Sequence, residues 1–183
     1  MLDYEFLYII SVPIYIVFLI ILILKKIKLN KLIVSSFFYF YIISLLAVTI
    51  FPIPIQGLKE IGMYGGQNNN FMPFASILEI LRNEALSNFI KIKQIIGNIV
   101  LFIPMGFFIP FIWRKYIFIK KAIYIGIISS LTIEILQYII SIILGFNYKS
   151  ADVDDILLNT IGFIFGIILF RLFHNGFLNN SYE

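Results

Sequence analysis

Apolar runs separated by short polar connections set the pattern of this chain. Five of them, near residues 5–24, 32–51, 95–113, 117–145 and 153–173, reach the roughly 20 residues that a helix needs to cross a bilayer. Lys25, Lys26, Lys28 and Lys31 stand between the first two runs, and Arg114, Lys115, Lys120 and Lys121 between the third and fourth, with no acidic residue in either place. The positive-inside rule puts both connections in the cytoplasm. Alternation then predicts an outside N-terminus, a cytoplasmic C-terminus carrying Arg171, and an extracytoplasmic position for 52–94 and 146–152. Tyr4, Tyr8, Trp113 and Tyr116 fall near the expected interfaces, as an aromatic belt should.

The connection 52–94 has a different grammar. Pro52, Pro54, Gly57, Gly62, Gly65 and Gly66 interrupt regular structure, and Asn68, Asn69 and Asn70 precede Phe71, Met72, Pro73 and Phe74. A helix is expected next. Ser76 and Glu79 have capping-box spacing, and Ile77, Leu81, Ala85 and Phe89 form an apolar stripe with Glu79, Arg82, Asn83, Lys91 and Lys93 elsewhere. This helix is too polar to span. The fold class that follows is an all-α membrane protein: a compact bundle of about five transmembrane helices plus an extracytoplasmic interfacial or re-entrant helix, as one domain over 1–183.

Composition agrees: 61% hydrophobic and 13% charged residues leave too few polar side chains to cover a soluble globule. The net charge of +4 sits at the span connections, so topology explains it and no nucleic-acid partner is expected. The absence of cysteine excludes disulfides, thiolate metal sites and a cysteine nucleophile. Asp3 and Glu5 open the chain where a cleavable signal would carry basic residues. Heavy use of Ile, Phe, Asn, Lys and Tyr reads as the AT-rich coding of a low-GC bacterium, and so as a multi-pass bacterial cell-membrane protein.

Polar residues inside or at the mouth of apolar runs are the candidates for chemistry, because the bilayer makes them costly. Asp152, Asp154 and Asp155 head the fifth run. Asn98 lies about 5 Å into the third run, Asn159 about 9 Å into the fifth, and Glu134 and Gln137 about 16 and 12 Å from the outer end of the fourth. Glu134, Gln137, Tyr138 and Ser141 share one helical face, and Asp155, Asn159, Gly162 and Gly166 share another, so the two faces are expected to meet around one cavity. Gly162 and Gly166 form a small-xxx-small pair for close helix contact. Pro104 and Pro110 predict a kinked or widened third span near Gly106. Asp152 also suits a helix cap, and His174 a solvated tail.

These residues resemble the VanZ-like family of small bacterial membrane proteins. The matching pieces are Asn70 with Pro73 and Phe74; Asn98, Phe102, Pro104, Gly106 and Pro110; Glu134 and Gln137; and Asp152, Asp154, Asp155, Asn159, Gly162 and Gly166. Lys149 stands where the family usually has Arg ahead of the Asp cluster, which keeps the charge and weakens bidentate recognition. The resemblance implies an association with reduced susceptibility to glycopeptide antibiotics, chiefly teicoplanin, a lipid-anchored molecule acting on wall precursors at the outer leaflet.

The leading expectation is therefore a binding protein for a lipoglycopeptide or a lipid-linked wall intermediate among the membrane lipids. Its ligand-binding candidates are Asn70, Asn98, Glu134, Gln137, Lys149, Asp152, Asp154, Asp155 and Asn159. The alternative is an intramembrane enzyme of lipid or cell-wall metabolism, with Glu134 as general acid or base and a divalent cation at Asp152, Asp154 and Asp155. No resident cofactor is otherwise expected. A proton-coupled carrier is a third reading, disfavoured by the lack of inverted repeats.

Overall fold

The computed structural model describes residues 2–54, 68–113 and 119–179, with the side chains of 119, 122 and 174–179 outside the description. Expectations for Gly57, Gly62, Gly65, Gly66, Arg114, Lys115, Tyr116 and the His174 side chain lie outside those residues. Six helices are described: α1 (Tyr4–Leu24), α2 (Leu29–Thr49), α3 (Ala75–Arg82), α4 (Asn88–Ile112), α5 (Ile119–Leu144) and α6 (Val153–Asn179). All but the eight-residue α3 are long and apolar enough to cross a membrane, so the chain is an all-α, multi-pass membrane protein. The described residues fall into two compact units, one made of 1–71 with 132–152 and the other of 72–131 with 153–183. The second half of α5 thus belongs to the first unit and its first half to the second.

In the first unit α1 and α2 form a hairpin held by aromatic rings. Tyr15 lies 5.1 Å from Tyr39 and 4.7 Å from Phe40 between ring centres, Phe18 lies 5.6 Å from Tyr39, and the Tyr39 hydroxyl donates to the Ser11 carbonyl at 2.6 Å. The turn between the helices passes through Lys26 at φ 51. Beyond the other ends, Leu2 and Ile53 exchange two backbone hydrogen bonds of 2.9 Å.

The second unit is built on α4 and α6, which run parallel: Asn98 meets Asp155 near the start of α6, and Phe107 meets Phe170 further along. Glycine lets the two backbones touch. A Cβ on Gly162 would lie 1.9 Å from the Ile99 carbonyl oxygen, on Gly166 2.1 Å from that of Ile103, and on Gly106 2.0 Å from that of Phe163. Gly162 and Gly166 therefore act as expected. Gly106 is their mate in a seam, and α4 continues as one helix through Pro104 and Pro110.

Three boundaries differ from expectation. The apolar stripe from Ile77 to Phe89 is not one helix: α3 ends at Arg82, Asn83 Oδ1 accepts from the Ala85 N–H at 3.0 Å, and Ser87 caps α4 through the Ile90 N–H at 3.4 Å. The third span accordingly begins at Asn88 instead of near 95, because helix continues past the apolar run through Lys91 and Lys93. Nor is Ser76 the cap of α3, which starts at Ala75 behind a left-handed Phe74 (φ 67).

Candidate functional site

Two groups of polar residues are buried, one in each unit. In the first unit α5 presents Glu134, Gln137 and Ser141 on one face, all under 9% exposed, while Tyr138 turns outward at 41%. Glu134 holds the chain entering α6: its Oε2 accepts the Asp152 N–H at 2.8 Å. The same short stretch pairs with the asparagine run, as the Asn70 N–H donates to the Ala151 carbonyl at 2.9 Å and the Ala151 N–H to Asn69 Oδ1 at 3.0 Å. Asn70 Nδ2 then donates to Asp152 Oδ1 at 2.8 Å. The asparagine run is thus more than a turn; it supplies partners for the loop before α6.

The carbonyls at and just beyond the end of α2, where a helix leaves them without internal donors, are met from α5 and the α5–α6 connection. Lys149 Nζ lies 3.0, 2.5 and 3.3 Å from the carbonyl oxygens of Val48, Thr49 and Phe51, so its three protons have three acceptors. Gln137 Nε2 donates to the Thr49 carbonyl at 2.9 Å, and the Tyr148 hydroxyl donates to that of Ile50 at 3.3 Å. Burial pushes Lys149 from its ordinary 10.5 down to about 8 and Tyr148 up to about 12. The carbonyl oxygens and the negative end of α2 pull the other way for Lys149, favouring its ammonium form. One atom stays unmet: Gln137 Oε1 is buried with no hydrogen-bond partner among the described residues.

In the second unit the acidic residues act as fasteners. Asp154, 1% exposed, accepts the N–H groups of Phe74 at 2.5 Å and Ile77 at 3.1 Å, which are the cap and third positions of α3. A carboxylate from another helix therefore does the work of the missing N-cap. Asp155 accepts from Asn98 Nδ2. Four residues on, Asn159 Nδ2 donates to Ser130 Oγ at 2.8 Å, while Asn159 Oδ1 and Thr160 Oγ1 are buried without partners among the described residues.

The nine candidates are thus distributed as Asn70, Glu134, Gln137, Lys149 and Asp152 in one unit and Asn98, Asp154, Asp155 and Asn159 in the other. The single cavity expected around Glu134, Gln137, Asn98, Asp155 and Asn159 draws on both units, and each group is described in its own. Asp154 is a correction in kind, because it is buried in the protein and not at a water-accessible helix mouth. The three Asp side chains face different donors, and no three His, Cys, Asp or Glu among the described residues are placed to hold a metal ion. Sequence reasoning missed Ser130, although it lies four residues before Glu134 and could have been found by extending the polar face of α5 by one turn. Lys149 and Asp154 were singled out, but their backbone partners carry no side-chain signal.

A family model described as VanZ/LLP1 matches residues 38–174. The chain is 25% identical over 143 residues to Protein VanZ of Enterococcus faecium, covering 78% of this chain and 76% of that protein. No solved structure matches.

Proposed function

Since the chain belongs to the VanZ/LLP1 family, we propose that it binds the polar head of an outer-leaflet amphiphile, a lipoglycopeptide such as teicoplanin or a lipid-linked wall intermediate, and so lowers susceptibility to the antibiotic. The observation that carries this reading is Gln137 Oε1, a buried acceptor without a donor among the described residues, three residues from the carboxylate of Glu134 on one face of α5. Leaving such an oxygen unmet costs on the order of 1–3 kcal/mol, a cost a ligand removes by supplying the donor. Amide N–H and sugar hydroxyl groups, which both ligand classes present, are suitable donors. In this reading Glu134 positions and does not react, because its Oε2 is engaged by the Asp152 backbone. Lys149 and Asn70 hold the loop in place instead of meeting the head group directly.

Gln137→Met is the decisive variant. It removes the unmet oxygen and keeps the volume, and the Thr49 carbonyl that Gln137 served retains the Lys149 ammonium at 2.5 Å. Expression should be normal. Retention of added teicoplanin or of a native wall lipid, read by native mass spectrometry of protein released from membranes, should fall about tenfold, equivalent to about 1.4 kcal/mol. Unchanged retention of both by a normally expressed variant would remove Gln137 from the site and this reading with it.

A further inference from the structure

Helix α3 is eight residues long, too short to be stable alone, yet it is fixed at both ends. The Asp154 carboxylate holds its N-terminal N–H groups, and Lys91 Nζ donates to the Leu81 carbonyl in its last turn at 2.9 Å. Negative charge at the start and positive charge at the end both suit the helix dipole. Both fasteners come from the helices that α3 adjoins, Asp154 from the first turn of α6 and Lys91 from the first turn of α4. The helix is therefore pinned where these two spans begin.

What it presents there is apolar. Met72, Phe74, Leu78 and Leu81 are 72%, 60%, 45% and 52% exposed, and on the adjoining α4 Phe89, Ile92, Ile96 and Val100 are exposed as well. Along one side runs an open groove of about 610 Å³ between Met72 and Pro73 and the helix face formed by Ala75, Leu78, Glu79 and Arg82. Glu79 and Arg82 stand one turn apart at its edge, and neither side chain makes an ion pair or hydrogen bond among the described residues. A groove with an apolar wall, one carboxylate and one guanidinium is complementary to a head group carrying both a phosphate and an ammonium. Arg82 suits the phosphate and Glu79 the ammonium.

We propose that α3 and the groove beside it form a docking site for a zwitterionic aminophospholipid of the surrounding leaflet, with its acyl chain along Met72 and Leu78 and its head group between Arg82 and Glu79. The adjoining α4 is long and apolar enough to cross a membrane and exposes apolar side chains of its own, which identifies bilayer lipid as the occupant of the apolar part, and the paired opposite charges select the head group. This inference concerns α3 and does not depend on Gln137.

A single tryptophan tests it. Trp113 is the only one in the chain, so Leu78→Trp in a Trp113→Phe background reports on this groove alone. The protein is reconstituted into vesicles of equal phosphatidylethanolamine and phosphatidylglycerol, with brominated chains on one lipid or the other. Quenching should be stronger with brominated phosphatidylethanolamine, by about two- to fivefold in apparent occupancy, the range expected of exposed charge pairs. Adding Glu79→Gln and Arg82→Gln should abolish the preference and leave the quenching. Absence of quenching by either lipid would overturn the lipid-covered face. Equal quenching by the two lipids with Glu79 and Arg82 intact, or a preference that survives both substitutions, would overturn the head-group site.

Discussion

At the scale of single residues, the acidic cluster at the start of α6 divides its labour: Asp152 meets Asn70, Asp154 meets the start of α3, and Asp155 meets Asn98. Asp154 should dominate stability. Asp154→Ala removes two charge-assisted bonds from a buried site and is expected to cost about 2–3 kcal/mol, with faster hydrogen exchange at the amides of Phe74 and Ile77 as its local mark. Protection of those two amides unchanged from the parent would show that α3 is held by something else. Lys149 carries a pH dependence of definite sign. Burial lowers Lys149 to about 8 from the ordinary 10.5, so unfolding takes up a proton between these values and stability rises with pH across that window. Unfolding midpoints in detergent should climb from pH 8 to 10 in the parent and lose that component in Lys149→Arg, whose guanidinium stays charged throughout. The residues themselves were legible in the sequence, since carboxylates and a lone Glu beside hydrocarbon stand out. Their partners were not. Asp154 and Lys149 bind backbone N–H and C=O groups that every residue possesses, at separations of 77–80 and 98–101 positions.

At the scale of elements, the positions of the spans were readable because the length of an apolar run is a property of one segment alone. The start of α4 was not. Ser87 and the residues after it extend the helix outward beyond the apolar run, and helix formation does not require hydrophobicity. The glycine seam was half legible: Gly162 and Gly166 repeat at the spacing of a contact face, whereas Gly106 is isolated in sequence and gains its meaning only from α6 lying against it. Gly162→Ala should destabilise by about 1–3 kcal/mol or more, because the added carbon meets a carbonyl oxygen of another helix and not a movable side chain. Gly97→Ala is the matched control on α4. Nothing lies within 4 Å of its added Cβ, and the substitution should be neutral or slightly stabilising. Equal behaviour of the two variants in detergent unfolding would contradict the seam.

At the scale of the whole molecule, the parallel course of α4 and α6 agrees with the third and fifth spans crossing in the same direction, as alternation requires. The acid-free Lys and Arg clusters then predict which direction that is. Ser150→Cys should react with an impermeant maleimide added to intact cells, and Lys26→Cys only after the membrane is opened; the reverse pattern would invert the topology. The α4–α6 seam also bears on how the chain is made. Forty residues separate the end of α4 from the start of α6, and α5 is synthesised between them. The groove of Gly106 and the amide of Asn98 must therefore wait in the membrane, facing lipid or the insertion machinery, until α6 leaves the ribosome. A chain stopped short of α6 would display that unfilled groove and polar group, which makes the arrival of α6 the step at which a quality-control protease could tell a chain with its seam closed from one left open.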